Sequence, residues 1–456
     1  MTASGPILYS SQNSVAVQFE CGTRILRVIH GQDARATSPN CTTTQNSSRV
    51  GIVQALLAFC LLSLLSLFAV PSALAQNRTS TTLQPNQSVT FVLAPNGKKA
   101  FVMQLKKGDV AEVSWQAKEE LNLSFTFYDP SGKDLVKEGP EVSDSIPFVA
   151  SQNGEYRLTM TMKSDEYSPK GSQKITLKYA NPWRVPTINT KSDVRKVNGY
   201  DVKILKPTGN NENSYLLIER NGSLKKVYKG GGVGFTFGDD SSDAESDKER
   251  GSAALVRSTP DKTGDGTPDI EVGYYSGGAH CCSTTFFFEL GESVIARPPI
   301  STYDAALLAI GRSPKGGLRF ETFDVGFGYW LTSFAESPMP RVVLEFQKGV
   351  LRPNFELMRK PAPSLAKLRE MARAKRAKIS LKPYRGAKNS GIDEEVFWDV
   401  MLDLIYTGHE DLAWQYMDWV WPAQRQGKAL FISDFKHTLS DSPWWKIIAA
   451  ENKQRK

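Results

Sequence analysis

A mainly β, multidomain chain is predicted: an N-terminal jelly roll or β-sandwich, a central β-rich domain and a C-terminal α-helical region. Three observations carry this. Short runs of alternating apolar and polar residues recur from residue 77 to residue 358. Turn residues separate these runs. From residue 361 the apolar spacing lengthens to that of helices. The chain has 456 residues, 40% hydrophobic and 23% charged, which is enough apolar material for several cores.

The N-terminus stands apart from these patterns. Residues 1–49 lack periodicity and are expected to be a disordered leader or a mis-called gene start. Arg49 precedes an apolar run from Val50 to Val70, Pro71 breaks it, and Ala73-Leu74-Ala75 follows. A charged n-region, an apolar h-region and a small-residue site predict a signal peptide over 50–75, cleaved after Ala75. The alternative is an uncleaved anchor, because the run is long enough to span a bilayer. Export places the protein in the periplasm or outside the cell, with no integral membrane span after cleavage.

Removing the leader takes Cys21, Cys41 and Cys60 with it and leaves Cys281 and Cys282, so no disulfide framework is expected. The formal charge is +8. Basic residues concentrate toward the C-terminus without interleaved aromatics, so nucleic acid is not an expected partner. Attraction to an anionic surface stays open.

Residues 77–180 read as strands. In "LNLSFTF", Leu121, Leu123, Phe125 and Phe127 alternate with polar residues. "EYRLTMTM" puts Tyr156, Leu158, Met160 and Met162 on one face, and "KITLKY" does so with Ile175, Leu177 and Tyr179. Asp129-Pro130-Ser131-Gly132, Pro95-Asn96-Gly97 and Asn153-Gly154 are the turns between them. The order "KAFVMQLKKGDVAEVSW", "LNLSFTFYDPSGKDLV", "NGEYRLTMTM" resembles the bacterial pre-peptidase C-terminal domain. That resemblance implies a jelly-roll sandwich acting as a non-catalytic accessory module of a secreted protein.

Residues 181–193 are predicted to be a linker, and a β-rich domain is predicted over 194–360. Its strands are "YDVKILKP", "SYLLIER", "GVGFTFG", "STTFFFEL" and "RVVLEFQKG". Asp239–Gly251 is highly charged and reads as a solvated loop. Gly230-Gly231-Gly232 lacks a following G-K-[ST] and reads as a turn between strands.

In the helical region, 361–456, Ser364 is a candidate cap for a basic helix over 365–378. Ile392, Val396, Phe397, Val400, Met401, Leu404 and Ile405 form one stripe, with Gly408 as its left-handed cap. A second helix ends at Trp421 before Pro422, and a last one is expected over 427–439. "YTGHEDLAWQYMDWVWP" resembles the core of a tetratricopeptide hairpin, with Gly408 and Ala413 at its glycine and alanine positions. A single repeat implies a packed hairpin and not a solenoid.

The stretch "DKTGDGTPDIEVGYYSGGAHCC" carries the candidate chemistry. Asp261, Thr263, Asp265 and Asp269 fall at positions 1, 3, 5 and 9 of a loop, with Gly266 at the bend. The Thr267 carbonyl is available at position 7. Alternating hard oxygen donors around a glycine are what calcium requires. Position 12 is Val272, which excludes an EF-hand. The loop is similar to those of FG-GAP and integrin-type repeats, which implies a calcium loop between two strands. The competing reading is an Asp/Gly turn bonded to its own backbone.

His280, Cys281 and Cys282 are consecutive. On a strand they point to alternate faces, which opposes one tetrahedral zinc. Cys281 and Cys282 either form a vicinal disulfide or stay as two buried thiols. "YSGGAHCC" resembles a signature of uncharacterised exported bacterial proteins and implies no mechanism.

The predicted function is a non-catalytic, calcium-stabilised binding or scaffold protein of the cell envelope or exterior. Its expected partner is an envelope polymer or another exported protein. The alternative is a secreted hydrolase using His280, Cys281 or Cys282 with an acid such as Asp324, although no known catalytic motif supports it. A third alternative is a redox sensor built on the cysteine pair.

Overall fold

A computed structural model describes residues 80–117, 121, 123–136, 144–163, 171–186, 190–207, 213–240, 246–277, 282–387 and 396–453. The leader, the signal peptide, His280, Cys281 and Ile392 lie outside them.

The first body runs through β1 (Thr81–Thr82), β2 (Ser88–Leu93), β3 (Lys98–Leu105), β4 (Val110–Ala117), β5 (Leu123–Tyr128), β6 (Ser145–Val149), β7 (Gly154–Met162) and β8 (Gln173–Ala180). Two four-stranded sheets form, in the orders β1-β3-β7-β5 and β2-β8-β4-β6. Their inner faces are the predicted ones: Tyr156, Leu158, Met160, Met162, Ile175, Leu177 and Tyr179 are fully buried in one cluster. Phe127 meets Phe148 edge-on across that core, with ring centroids 4.8 Å apart. This is the expected β-sandwich.

The second body begins with β9 (Thr190–Val197), β10 (Tyr200–Pro207), β11 (Ser214–Arg220), β12 (Ser223–Gly230) and β13 (Gly234–Phe237). Strand β9 starts inside the segment expected to be linker, because Thr190–Val197 pairs along its whole length with β10. Helix α1 (Asp247–Arg257) follows, which corrects the last five residues of the solvated loop expected over 239–251. Ser246 caps it: Glu249 N donates to the Ser246 side chain and the Glu249 side chain accepts from the Ser246 N–H. This reciprocal box starts a helix in a segment whose composition alone reads as coil.

Strands β14 (Asp269–Tyr275), β15 (Ser283–Leu290), β16 (Val294–Ala296) and β17 (Ile300–Tyr303) complete a sheet with β13. It faces the β9–β12 sheet across Tyr200, Val202, Ile204, Val272, Phe286 and Phe288. Strand β11 reads as a continuous apolar run because both its faces are covered. Leu216 and Ile218 enter that core. Tyr215 and Leu217 pack with Val149, Trp183 and Val185 of the preceding segment. Lys229 joins the two bodies by bonding Asp144 at 2.6 Å and Ser145 at 2.8 Å.

The fifth sheet is β18 (Leu308–Arg312), β19 (Leu318–Phe323), β20 (Arg341–Gln347) and β21 (Val350–Pro353). Then come α2 (Phe355–Met358), α3 (Leu365–Arg376), α4 (Trp398–Tyr406), α5 (Glu410–Val420), α6 (Lys428–Asp441) and α7 (Trp445–Lys453). Sheet and helices share one hydrophobic cluster from Leu318 and Val342 to Trp398, Phe431 and Ile448. The boundary expected at 360 falls inside it.

Ser364 caps α3 by accepting from Lys367 N. Helix α4 ends in a six-residue closure: His409 N bonds Leu404 O at 2.8 Å, with Gly408 at φ 94°. Helix α5 follows at once and buries Ala413. The last expected helix is α6, and α7 follows it as a further helix.

Candidate functional site

The loop from Asp261 to Asp269 lies between α1 and β14. That differs from the strand-to-strand placement implied by the FG-GAP resemblance. The reason is the capped helix, which occupies the position where a strand was implied.

Asp261 acts as the hub of the loop. Its Oδ1 accepts from Gly264 N at 2.6 Å and Asp265 N at 3.2 Å, and its Oδ2 accepts from Gly266 N at 2.7 Å. Thr263 Oγ1 also lies 3.4 Å from Asp261 Oδ1. Asp269 Oδ2 accepts from Lys262 N at 2.7 Å and Thr263 N at 2.8 Å. Asp265 accepts from Thr267 N at 2.9 Å and meets Arg297 at 3.0 Å. Arg297 is also paired with Glu289.

These contacts have electrostatic consequences. Burial would raise Asp265, but bonding with Glu289 and Thr267 and the Arg297 charge outweigh it and hold the carboxyl below its usual range. Burial pushes Glu289 up to about 7 and Asp269 up to about 6. Asp269 Oδ1 is buried and has no hydrogen-bond partner among the described residues.

Asp269 also belongs to a second arrangement. Asp269 and Glu271 are two residues apart on β14 and so share a face, opposite the core-facing Ile270 and Val272. That face borders a cleft of about 490 Å³ walled by the end of β9, helix α1 and the loop. Glu271 is buried, with Oε2 lacking a partner among the described residues.

Lys262 is 7% exposed and donates to the Thr259 carbonyl at 3.1 Å and the Asp269 carbonyl at 3.0 Å. Burial pushes Glu271 up to about 7 against the pull of Lys262, and burial lowers Lys262 against the pull of Glu271 and Asp269. On the wall, Arg195 pairs with Asp239 at 3.3 Å and lies over Phe237. Arg257 donates to the Asp239 carbonyl at 2.6 Å. The cleft therefore presents Arg195, Lys196 and Arg257 against Asp239 on its walls and a carboxyl pair beside one ammonium at its floor.

Sequence reasoning placed Asp269 and missed Lys262 and Glu271. The alternation of "DIEVGYY" held the signal, since it sets both acids on the polar face of a strand.

The remaining candidates separate. Ser276 N bonds Cys282 O at 3.1 Å and Cys282 N bonds Ser276 Oγ at 3.0 Å, closing the β14–β15 hairpin. Cys282 is buried and disulfide-bonded; its partner lies outside the described residues. The triple glycine is a turn between β12 and β13 that presses on the same hairpin. A Cβ on Gly232, at φ +66°, would fall 1.9 Å from the Ser276 carbonyl oxygen. Asp324 is buried elsewhere, accepting from Tyr406 OH at 2.5 Å, from Ser442 Oγ and from Gly326 N at 2.9 Å. Among the described residues no group of three or more His, Cys, Asp or Glu is arranged to hold a metal ion, and no helix is long and apolar enough to cross a membrane.

Comparison with known proteins bears on the N-terminal body. Residues 88–206 match the emp24/gp25L/p24 family/GOLD model, from β2 through most of β10. No curated protein matches the chain. Among solved structures, the chain is similar to the pre-peptidase C-terminal domain of a collagenase from Bacillus anthracis, at 12% identity over 22% of this chain and 93% of that one, with a TM-score of 0.19. It is also similar to PliG of Aeromonas hydrophila, a periplasmic inhibitor of g-type lysozyme, at 10% identity over 23% and 96%, with a TM-score of 0.19. A third similarity is to the lipase BlEst2 of Bacillus licheniformis in propeptide form, at 11% identity over 52% and 44%, with a TM-score of 0.16. At such scores these likenesses carry no functional argument. The FG-GAP and tetratricopeptide resemblances have no counterpart among these matches. The N-terminal body is thus a β-sandwich matched in part by a GOLD model.

Proposed function

We propose that this chain is an exported, non-catalytic binding protein of the bacterial cell envelope or exterior, and that its cleft beside β14 receives a polar ligand. The observation that carries the proposal is the cleft itself. Its volume suits a small molecule or the end of a polymer, and buried carboxylates with an unpartnered oxygen each lie at its floor. The non-catalytic part is supported by Asp324, whose hydrogen-bond partners tie it into the packing of the helices. Thermal-shift titration with envelope fragments such as muropeptides tests the proposal. Binding without turnover is expected, lost in Arg195→Ala and Arg257→Ala. Turnover of any bound fragment would instead favour an enzyme.

Calcium at Asp261, Thr263, Asp265, Thr267 and Asp269 is part of the same proposal. It is supported by the acid spacing and by the unpartnered Asp269 Oδ1. Carboxylate oxygens have about two lone pairs each, so those accepting one N–H still have capacity for a cation. Arg297 is the competitor, since it already neutralises Asp265. A bridge between Cys282 and Cys281 completes the proposal and would brace the hairpin mouth. Alkylation without prior reduction should then label neither cysteine, and two labelled thiols would remove the bridge.

A further inference from the structure

The formal charge of this protein is concentrated in one stretch of its sequence, within which Arg359, Lys360 and Lys375 are paired with Glu356, Asp403 and Asp399. The chain has 56 Lys and Arg against 48 Asp and Glu, and residues 359–387 hold ten of those cations against Glu370 alone. The remainder, 46 against 47, is neutral to within one charge.

The structure shows how these cations are displayed. Helix α3 buries Leu368 and Ala372 against the helical core. Arg369, Arg373 and Arg376, at i, i+4 and i+7, are exposed along one flank, spanning about 10 Å. Lys367 and Lys378 are exposed on the other flank, and Lys382 and Arg385 continue beyond the helix. Between the flanks the outward crest carries Ala366, Glu370, Ala374 and Ala377.

Two of the arginines are held in place without an acidic partner among the described residues. The Arg369 guanidinium lies 4.9 Å over the Trp419 ring, and Arg376 donates to the Trp419 carbonyl at 3.4 Å. Lys367 meets Glu370 only at 3.6 Å on the surface, an arrangement with little stabilising effect.

We propose that this basic face docks the protein on an anionic lipid surface. The layout selects a plane over a thread. A low crest between two cationic flanks lets headgroups meet both rows at once, whereas a single polyanion chain follows one flank. Leu365 and Leu381 bracket the helix and are 45% and 58% exposed. A lipid interface gives them apolar surroundings, which a soluble polyanion does not. The apolar face of α3 is already packed, so the helix rests on the headgroups by charge, with long side chains reaching outward.

The test is co-sedimentation of the mature chain with phosphatidylcholine vesicles, with and without phosphatidylglycerol. Binding is expected only with the anionic lipid and should fall as salt rises. Arg373→Gln, Lys378→Gln and Lys382→Gln together should weaken it about a hundred-fold, from about fivefold per cation. Lys106→Gln, Lys107→Gln and Lys178→Gln remove equal charge from the sandwich and should have far less effect, with unchanged near-ultraviolet circular dichroism in both variants. Leu381→Ser should weaken vesicle binding and leave binding of soluble polyphosphate unchanged. Equal loss in the two triple variants would assign the effect to bulk charge. Unchanged binding in the first would mean that another surface of the chain meets the vesicle. Tight polyphosphate binding without vesicle binding would replace the lipid by a linear polyanion. Any of these three outcomes overturns the proposal.

Discussion

Removing the Tyr406 hydroxyl should destabilise the fold without touching any chemistry. Asp324 is 4% exposed and accepts from Tyr406, Ser442 and the Gly326 N–H. Burial, followed by the neighbouring Asp324 charge, holds the Tyr406 hydroxyl well above its ordinary value, so it donates throughout the accessible pH range. The three donors come from α4, from the segment between α6 and α7, and from the loop after β19, so one carboxylate ties the β18–β21 sheet to the helices. Tyr406→Phe keeps the ring and deletes one bond to a charged acceptor, a loss of about 1.5–3 kcal/mol. Ser442→Ala should cost a similar amount. Because both bonds end on Asp324 Oδ2, the double variant should deviate from additivity by about 0.5 kcal/mol or more. Urea unfolding followed by tryptophan fluorescence reads all three variants. A Tyr406→Phe chain of unchanged stability would refute the tie, and a hydrolytic activity lost only in Asp324→Asn would return that acid to the hydrolase alternative.

Other expectations follow from the same structure. Asp269, Glu271 and Glu289 have folded-state values raised to about 6, 7 and 7, so the folded chain holds protons that the unfolded chain releases near pH 4. Their contribution to stability is therefore greatest in acid and is lost as pH rises from about 4 to 7, at about 1.4 kcal/mol per group per unit within its window. In chelated buffer, Asp269→Asn should show a shallower fall between about pH 4 and pH 6, and an identical slope would mean that Asp269 does not titrate there. Calcium at about 10 mM should add about 1.4–2.7 kcal/mol if its affinity lies in the extracellular range. Asp265→Ala should abolish that gain, and an equal response in the variant would exclude this loop. Ser246→Ala should cost about 1 kcal/mol by opening the cap of α1; no change in the unfolding midpoint would show the capping box to be dispensable.

Most of the architecture was legible because burial on a strand or helix is a local pattern. Met160 and Met162, or Val202 and Ile204, face inward for the same reason that they alternate with polar neighbours. Gly408 ends α4 because the left-handed turn there suits a residue without a Cβ. Helix α1 was less legible. Its core contacts are few in sequence, with Ala253 and Val256 buried, and its start depends on a four-residue box inside a charged run.

The candidate site divides along the same line. By itself the sequence determined the sandwich, the acid spacing of 261–269 and the basic helix, because each is set by residues a few positions apart. Only the tertiary structure decided that Arg297 reaches Asp265, that Asp324 belongs to Tyr406 and Ser442, and that Lys262 and Glu271 both line a cleft walled by β9 and α1. The hydrogen bonds among them join residues separated by tens of positions. Their strength comes from the exclusion of water, which a linear pattern does not encode.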